Sequence, residues 1–448
     1  MRAHTLRLRS GDPWAPYAPD EAMPWDLRRV VHLHRRAGFA ATWDELRRDL
    51  NDGPEASINR LLEGKSRSCG IPAEFAAFAA RLADRALAAP APDRLKGWWV
   101  YRMLFGPDPL TERLTLMWHN HFATGNLKVN DLGLMRRQNE TLRALGRAPF
   151  GRLLHAMLRD PALLIWLDAA ENTKGHPNEN LARELMELFT LGIGHYSEDD
   201  VKQAARALTG WKLVGDEARF VPTRHDSGTK TILGRTGAFD AAGLAALLLN
   251  HPAASRRLAW RLCHEFFGEG VIDDRTLEAL AAGLRAHDLD IGWGVATVLR
   301  SRRFFDTSNL GNRVSSPVEY AVGAARALEM FGPSPSTPVL ADWCARLGQD
   351  LFDPPNVGGW PGGRAWITTR SAIGRANFAA GLVEGTPVGL PGPLDAVGLA
   401  NRHDQGRNPS FFAQLLLGTA TPRIPIDDAE TARRDIARLL ASPEAQRT

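Results

Sequence analysis

Cysteine is nearly absent: Cys69, Cys263 and Cys344 are the only three in 448 residues, far apart and with no C-x-x-C pair. That usage excludes a disulfide framework and a cysteine zinc site. Cys263, inside "LAWRLCHEFF", reads instead as a small buried hydrophobe. No apolar run approaches the ~20 residues of a membrane-spanning helix, so no membrane association is expected. Blocks of like charge are lacking too, since 55 Lys and Arg are interspersed with 51 Asp and Glu for a formal net charge of +4. A nucleic-acid-binding stripe is therefore not expected. The N-terminal "MRAHTLRLRSGDPWAPYAPDE" carries basic residues but no apolar h-region, so the chain reads as cytoplasmic. Fixed-period repeats and low-complexity tracts are absent as well.

What is present is helical periodicity. An apolar fraction of 44% with 24% charged residues is that of a soluble globular protein. The length suggests two or three packed subdomains. Apolar spacing predicts helices over 111–122, 131–146, 178–191, 198–209, 253–267, 274–286 and 316–331, among others. Thr42 and Glu45 stand at capping-box spacing, and Ser197 is a good N-cap before the acidic run Glu198–Asp200. Strand signals are few. "RFVPT" and "KTILG" are expected to pair as one hairpin across "RHDSG". The expected fold is mostly α, a bundle-like multi-helix protein with a small β-hairpin element. Its regions would be 1–215, a hairpin insertion at 216–240, and 241–448, unless the whole is one continuous domain. The hairpin and the proline-rich stretch near 332–338 are the expected seams.

Three stretches carry chemistry. In "HPNENLARELMELFTLG" (176–192), a pitch of about 100° per residue places Asn180, Arg183, Glu184 and Glu187 on one narrow arc of an otherwise apolar helix. Glu184 and Glu187 offer two carboxylates one turn apart, as bundle metal sites do. The plainer alternative is an ion-pair ladder, Glu179–Arg183–Glu187, that supports the helix. In "LMWHNHFATGN" (116–126), His121 falls on the apolar stripe of Leu114, Met117 and Trp118, and His119 lies well away from it. The pair would share one metal only if the helix unwinds before Ala123. In "RHDSGTK" (224–230), His225 and Asp226 form an imidazole–carboxylate pair fit for ligation or acid–base work, with Lys230 as a positive charge for an anionic substrate. The alternative is a turn in which Asp226 bonds the backbone. The letters "HNH" do not make a nuclease, because no ββα unit accompanies them. "PPNVGGWPGG" (354–363) reads as a rigid scaffold loop, with Trp360 as a pocket-lining alternative.

"WHNHFATGNLKV", "WLDAAENTKGHPNENLARELMELFTLGIGHYSEDDVKQAARALTGW", "RHDSGTKTILG", "SPVEYAVGAARAL" and "GQDLFDPPNVGGWPGGRAWI" occur in that order. Together with "HLHRRAGFA" and "ARLLASPEAQ" they resemble the bacterial family known as domain of unknown function 1800, over nearly the whole chain. Members are often exported and often encoded beside a second uncharacterised protein, which implies a protein partner; the lack of an evident signal departs from the first trait. The resemblance transfers no established catalytic residue. It locates a shared site among His119, His121, Asn180, Arg183, Glu184, His225, Asp226 and Lys230.

The leading expectation is a metal-dependent enzyme. His119, His121, Glu184 and Glu187 would hold a divalent ion such as Fe, Mn or Zn, for hydrolysis or oxidation. Arg183, His225, Asp226 and Lys230 are the candidate catalytic groups. The rival expectation is a non-catalytic helical binding or scaffold protein that acts with a partner, its Arg183, Glu184, Glu187 and His121 forming a structural network. A metal-free hydrolase is weaker, because no Gly-x-Ser-x-Gly or cysteine–histidine signature appears.

Overall fold

Helix boundaries follow local sequence chemistry in the computed structural model, which describes residues 12–448. Residues 1–11, part of the stretch read for an export signal, lie outside the described residues. Thr42 and Glu45 form the expected capping box at Trp43–Leu62, and Ser197 with Asp200 forms another at Glu198–Ala207. Each satisfies amide groups that a helix start leaves unpaired. The protein is mostly helical, with the Asp274–Ala286 helix matching its expected span. Among the described residues, no helix is long and apolar enough to cross a membrane.

The β element differs from expectation. "RFVPT" and "KTILG" are not partners. Glu217–Phe220 pairs back onto Trp211–Val214, and Lys230–Ile232 pairs forward onto Arg235–Gly237, giving two separate two-stranded hairpins. The reason is turn chemistry. Leu233 and Gly234 both have positive φ (50° and 74°), the primed turn that closes a two-residue hairpin, and Gly215 (φ 63°) does similar work in the first. Each strand thus meets its nearest neighbour before it can reach across Pro222 and the "RHDSG" segment.

Two hydrophobic cores organise the helices, and neither is confined to one of the expected regions. The first unites Val30, Trp99 and Met135 with Tyr320, Phe378 and Ile436. The second unites Leu33, Trp118 and Phe189 with Leu262 and Phe304. Glu45 and Arg326, both almost fully buried, tie the distant ends of the chain together at 2.7 Å.

The Pro109–His121 helix lies between these cores. Its Leu116 belongs to the first, while Leu114, Met117 and Trp118 belong to the second. A helix apolar on one side only would leave a face to solvent; this one is buried nearly all round.

Candidate functional site

The Pro109–His121 helix continues through His121, and Phe122 caps it. The two histidines therefore point into different cores. His119 packs against Trp99, Phe352 and Trp360, with ring centroids 5.3–5.7 Å away. Neither of its ring nitrogens has a hydrogen-bond partner among the described residues. Burial pushes its pKa down to about 3, so the ring is neutral. His121 packs against Phe122, Phe150 and Phe189, and its Nε2–H donates to the Phe189 carbonyl at 3.1 Å. Burial first, then the Arg261 and Arg257 charges, hold its pKa well below the usual histidine value.

Asn120, between them, faces a third direction. Its Oδ1 accepts the Trp360 N–H at 2.7 Å, and its Nδ2 donates to the Trp360 carbonyl at 3.4 Å. The "PPNVGGWPGG" loop is thereby latched to the helix, with Trp360 only 4% exposed. Gly359, at φ 78°, sits so close that a Cβ there would come 2.5 Å from the Asn120 carbonyl oxygen.

The 178–191 helix departs from expectation in its second half. It is α-helical only over Asn180–Glu184 and widens to a π-helix over Leu185–Thr190. Widening re-aims the last carbonyls, which no longer find partners in their own turn. Arg257 donates to the Leu188 carbonyl through Nε and Nη2, and His121 takes the Phe189 carbonyl. Nothing in the residue pattern announces the change of pitch.

The polar arc of this segment is half-exposed. Arg183 bonds Glu198 at 2.8 and 2.7 Å and Glu179 at 3.2 Å, pinning the segment to the start of the next helix. Asn180 Nδ2 donates to Asp168 at 3.3 Å. Glu187 accepts the Tyr196 hydroxyl at 2.8 Å. Burial, followed by the Glu187 charge, raises the pKa of Glu184. Among the described residues, no group of three or more His, Cys, Asp or Glu is placed to hold a metal ion.

"RHDSGTK" closes the connection between the two hairpins. His225 Nδ1 lies 2.9 Å from the Thr209 carbonyl, which makes it the donor. Asp226 accepts Arg206 through both oxygens, at 2.7 and 3.3 Å, and its own N–H donates to Thr209 Oγ1. The Arg206 bond holds the Asp226 carboxyl down at about 2. The Lys230 amine turns inward onto the Asp226 and Gly228 carbonyls and is 1% exposed. The expected imidazole–carboxylate pair does not form: His225 turns to Thr209, Asp226 pairs with Arg206, which sequence reasoning missed, and Lys230 is spent on backbone carbonyls.

A different constellation emerges beside the histidine helix. A cleft of about 530 Å³ is lined by Asn120, Trp260, Arg261, Arg313, Glu319 and Trp366, among others. At its base, Arg113 bonds Glu265 at 2.6 Å and also pairs with Glu319. Arg313 holds Glu319 through both oxygens at 2.9–3.1 Å and approaches Glu265 at 4.0 Å. Arg261 reaches Glu265 at 3.6 Å and donates to the Met117 carbonyl at 3.1 Å. Burial would raise the Glu319 carboxyl, but the Arg113 and Arg313 charges overcome it and hold the pKa at about 2. Burial draws the Arg261 guanidinium down to about 10, still charged at neutral pH. His264 stands at the mouth; enclosure by the cleft walls, then Arg261 and Arg313, push its pKa down to about 4. None of these cleft residues drew attention in the sequence. Their signal was charge inside apolar helix faces: Arg113 in "TERLTLMW" and Glu265 in "RLCHEFF".

A larger cleft of about 830 Å³ lies between the Leu27–Ala37 helix and residues 419–448. Its Arg438 is paired with Asp435 at 2.9 Å, with side chains 70% and 25% exposed.

Fold and site together define a mostly helical protein with a network of three guanidinium groups and two carboxylates at an open cleft. The chain belongs to the family described as "Protein of unknown function (DUF1800)", which matches residues 32–447. No curated protein and no solved structure matches it.

Proposed function

We propose that the chain is a helical binding protein, acting with a partner protein, whose small-molecule site is the cleft over Arg113, Arg261, Arg313, Glu265 and Glu319. The observation that carries this reading is the burial of four charged groups, with Arg313 partly buried beside them, under an open cavity. Sealed ion pairs are weak contributors to stability, because desolvation offsets most of their attraction. A concave site with a few convergent polar groups is where small molecules bind. The partner component rests on the family resemblance. The test is a thermal-shift screen of the full chain against a small-molecule library, beside His264→Trp, which fills the mouth. Compounds should protect wild type and lose that effect in the variant. Equal protection of both proteins, or none of either, overturns the reading.

A second reading keeps the metal-dependent enzyme. It is favoured by the Glu184 carboxyl, raised by burial and by its neighbour Glu187, because a divalent cation would relieve that repulsion. Glu184 and Glu187 would be its ligands, with Fe, Mn or Zn suiting them. Such an ion supports water activation for hydrolysis as well as oxidation. His121 would join only by releasing the Phe189 carbonyl. Metal analysis of tag-free protein decides: a wild type that binds none of the three after loading sinks this reading.

A further inference from the structure

The charges at the base of the cleft do not balance. Three guanidinium groups, Arg113, Arg261 and Arg313, share two carboxylates, Glu265 and Glu319, which leaves one positive charge over. Arg113 and Arg313 consume the carboxylate oxygens at short range. Arg261 is held most weakly: its one carboxylate contact, to Glu265, is 3.6 Å, and its Nε, like Arg113 Nη1 and Nη2, has no hydrogen-bond partner among the described residues. It is 6% exposed and lines the cleft. Arg36 is also buried without a carboxylate side chain, but three backbone carbonyls take its N–H groups, whereas Arg261 makes one such bond, to Met117.

The rest of the lining fits an anion with an apolar body. Gln349, also in the lining, accepts the Val318 N–H with its Oε1, so its remaining polar atoms are N–H donors. Trp260, one residue before Arg261, is 38% exposed and also lines the cleft, its ring backed by the Arg257 guanidinium at 4.5 Å and by the His264 ring at 5.0 Å. Arg364, also in the lining, is paired with Glu269 at 3.3 Å and leaves the charge of the cleft unchanged.

We propose that the cleft binds a small organic anion, its carboxylate or phosphate oxygens on Arg261 and Gln349 and its planar apolar part against Trp260. This rests on the cleft being the protein's binding site. A guanidinium fork matches either oxyanion, so the two sources must be separated by experiment.

The full-length protein is titrated calorimetrically, at constant ionic strength, with benzoate, phenyl phosphate, inorganic phosphate and neutral benzyl alcohol. One aromatic anion should bind at least about tenfold more tightly than inorganic phosphate and benzyl alcohol, and the better of the two names the oxyanion. Arg261→Gln should weaken it by about tenfold or more, and Trp260→Ala should erase the advantage over inorganic phosphate. Trp260→Ala leaves the ion network intact, so it serves if Arg261→Gln fails to fold. Equal binding of benzyl alcohol and benzoate, both lost in His264→Trp, overturns the anion assignment while leaving the cleft as a binding site. Absence of binding by all four probes up to about 10 mM overturns the anion assignment, and the library screen then decides the cleft itself. Anion binding that survives both substitutions overturns it as well.

Discussion

Charged side chains meet opposite fates on the Asn180–Thr190 segment and in the cleft. On the first, Arg183 and Glu198 are 34% and 68% exposed, and water shares their charge. In the second, Arg113 and Glu319 are 0% and 4% exposed, and the charges of Glu265 and Arg313, with their own, compensate burial in place of water. The same residue types therefore carry different energies. An exposed pair contributes about 0–1 kcal/mol, whereas removing one partner of a sealed pair costs about 3–5 kcal/mol. A polar arc that stands out on a helical wheel is thus a poor guide to where electrostatic energy is concentrated.

The strongest way to break this contrast is Glu319→Ala. It leaves Glu265 as the one carboxylate of the network for Arg113, Arg261 and Arg313, and urea denaturation should show a loss of about 3–5 kcal/mol. The sign with pH follows from the depressed carboxyl. Glu319 is ionised in the folded protein down to about pH 2 but takes up its proton near 4.5 when unfolded. Its contribution is full above about pH 4.5 and falls as pH drops toward 2. Wild type should lose stability through that window, and the variant should lose less.

Gly359→Ala comes next. Positive φ and the approach to the Asn120 carbonyl together should cost about 2–3 kcal/mol by the same assay. The two histidines then sharpen the comparison at equal burial. His121→Leu leaves the Phe189 carbonyl without its donor and should cost about 1–3 kcal/mol. His119→Leu breaks no hydrogen bond and should fall within about 1 kcal/mol of wild type. Unfolded His119 binds a proton near pH 6.5, the folded residue only near 3, so stability falls as pH drops below 6.5. His119→Leu should flatten part of that slope. Smallest is Arg183→Ala, expected to cost under about 1 kcal/mol. A loss as large as that of Glu319→Ala would erase the distinction between the two regions.

Helices and caps were legible because they depend on neighbours within four residues: the Thr42–Glu45 capping box and the Ser197 N-cap stand as read, and Asp200 completes a second box. The hairpin pairing was misread because two short turns, Gly215 and Leu233–Gly234, outcompeted the longer loop. The π-turn at Leu185–Thr190 escaped notice because it changes pitch without changing composition. The cleft escaped for another reason. Arg113 and Glu265 are 152 residues apart in sequence, and on paper Arg261–Glu265 resembles any surface ladder. Asn120 was hidden between two histidines that drew the eye, although it latches the glycine-rich loop.

The interleaving of the two cores has a consequence for the order in which the protein is made. Residues 30–135 supply Trp98, Trp99 and Met103 to a core completed only by residues 318–440. At ~5–20 residues per second, the ribosome needs roughly 10–40 s to bridge that interval. Throughout that time, tryptophan-rich helix faces stand uncovered, so the nascent chain depends on what shields them, and the finished fold closes only once its last third has emerged.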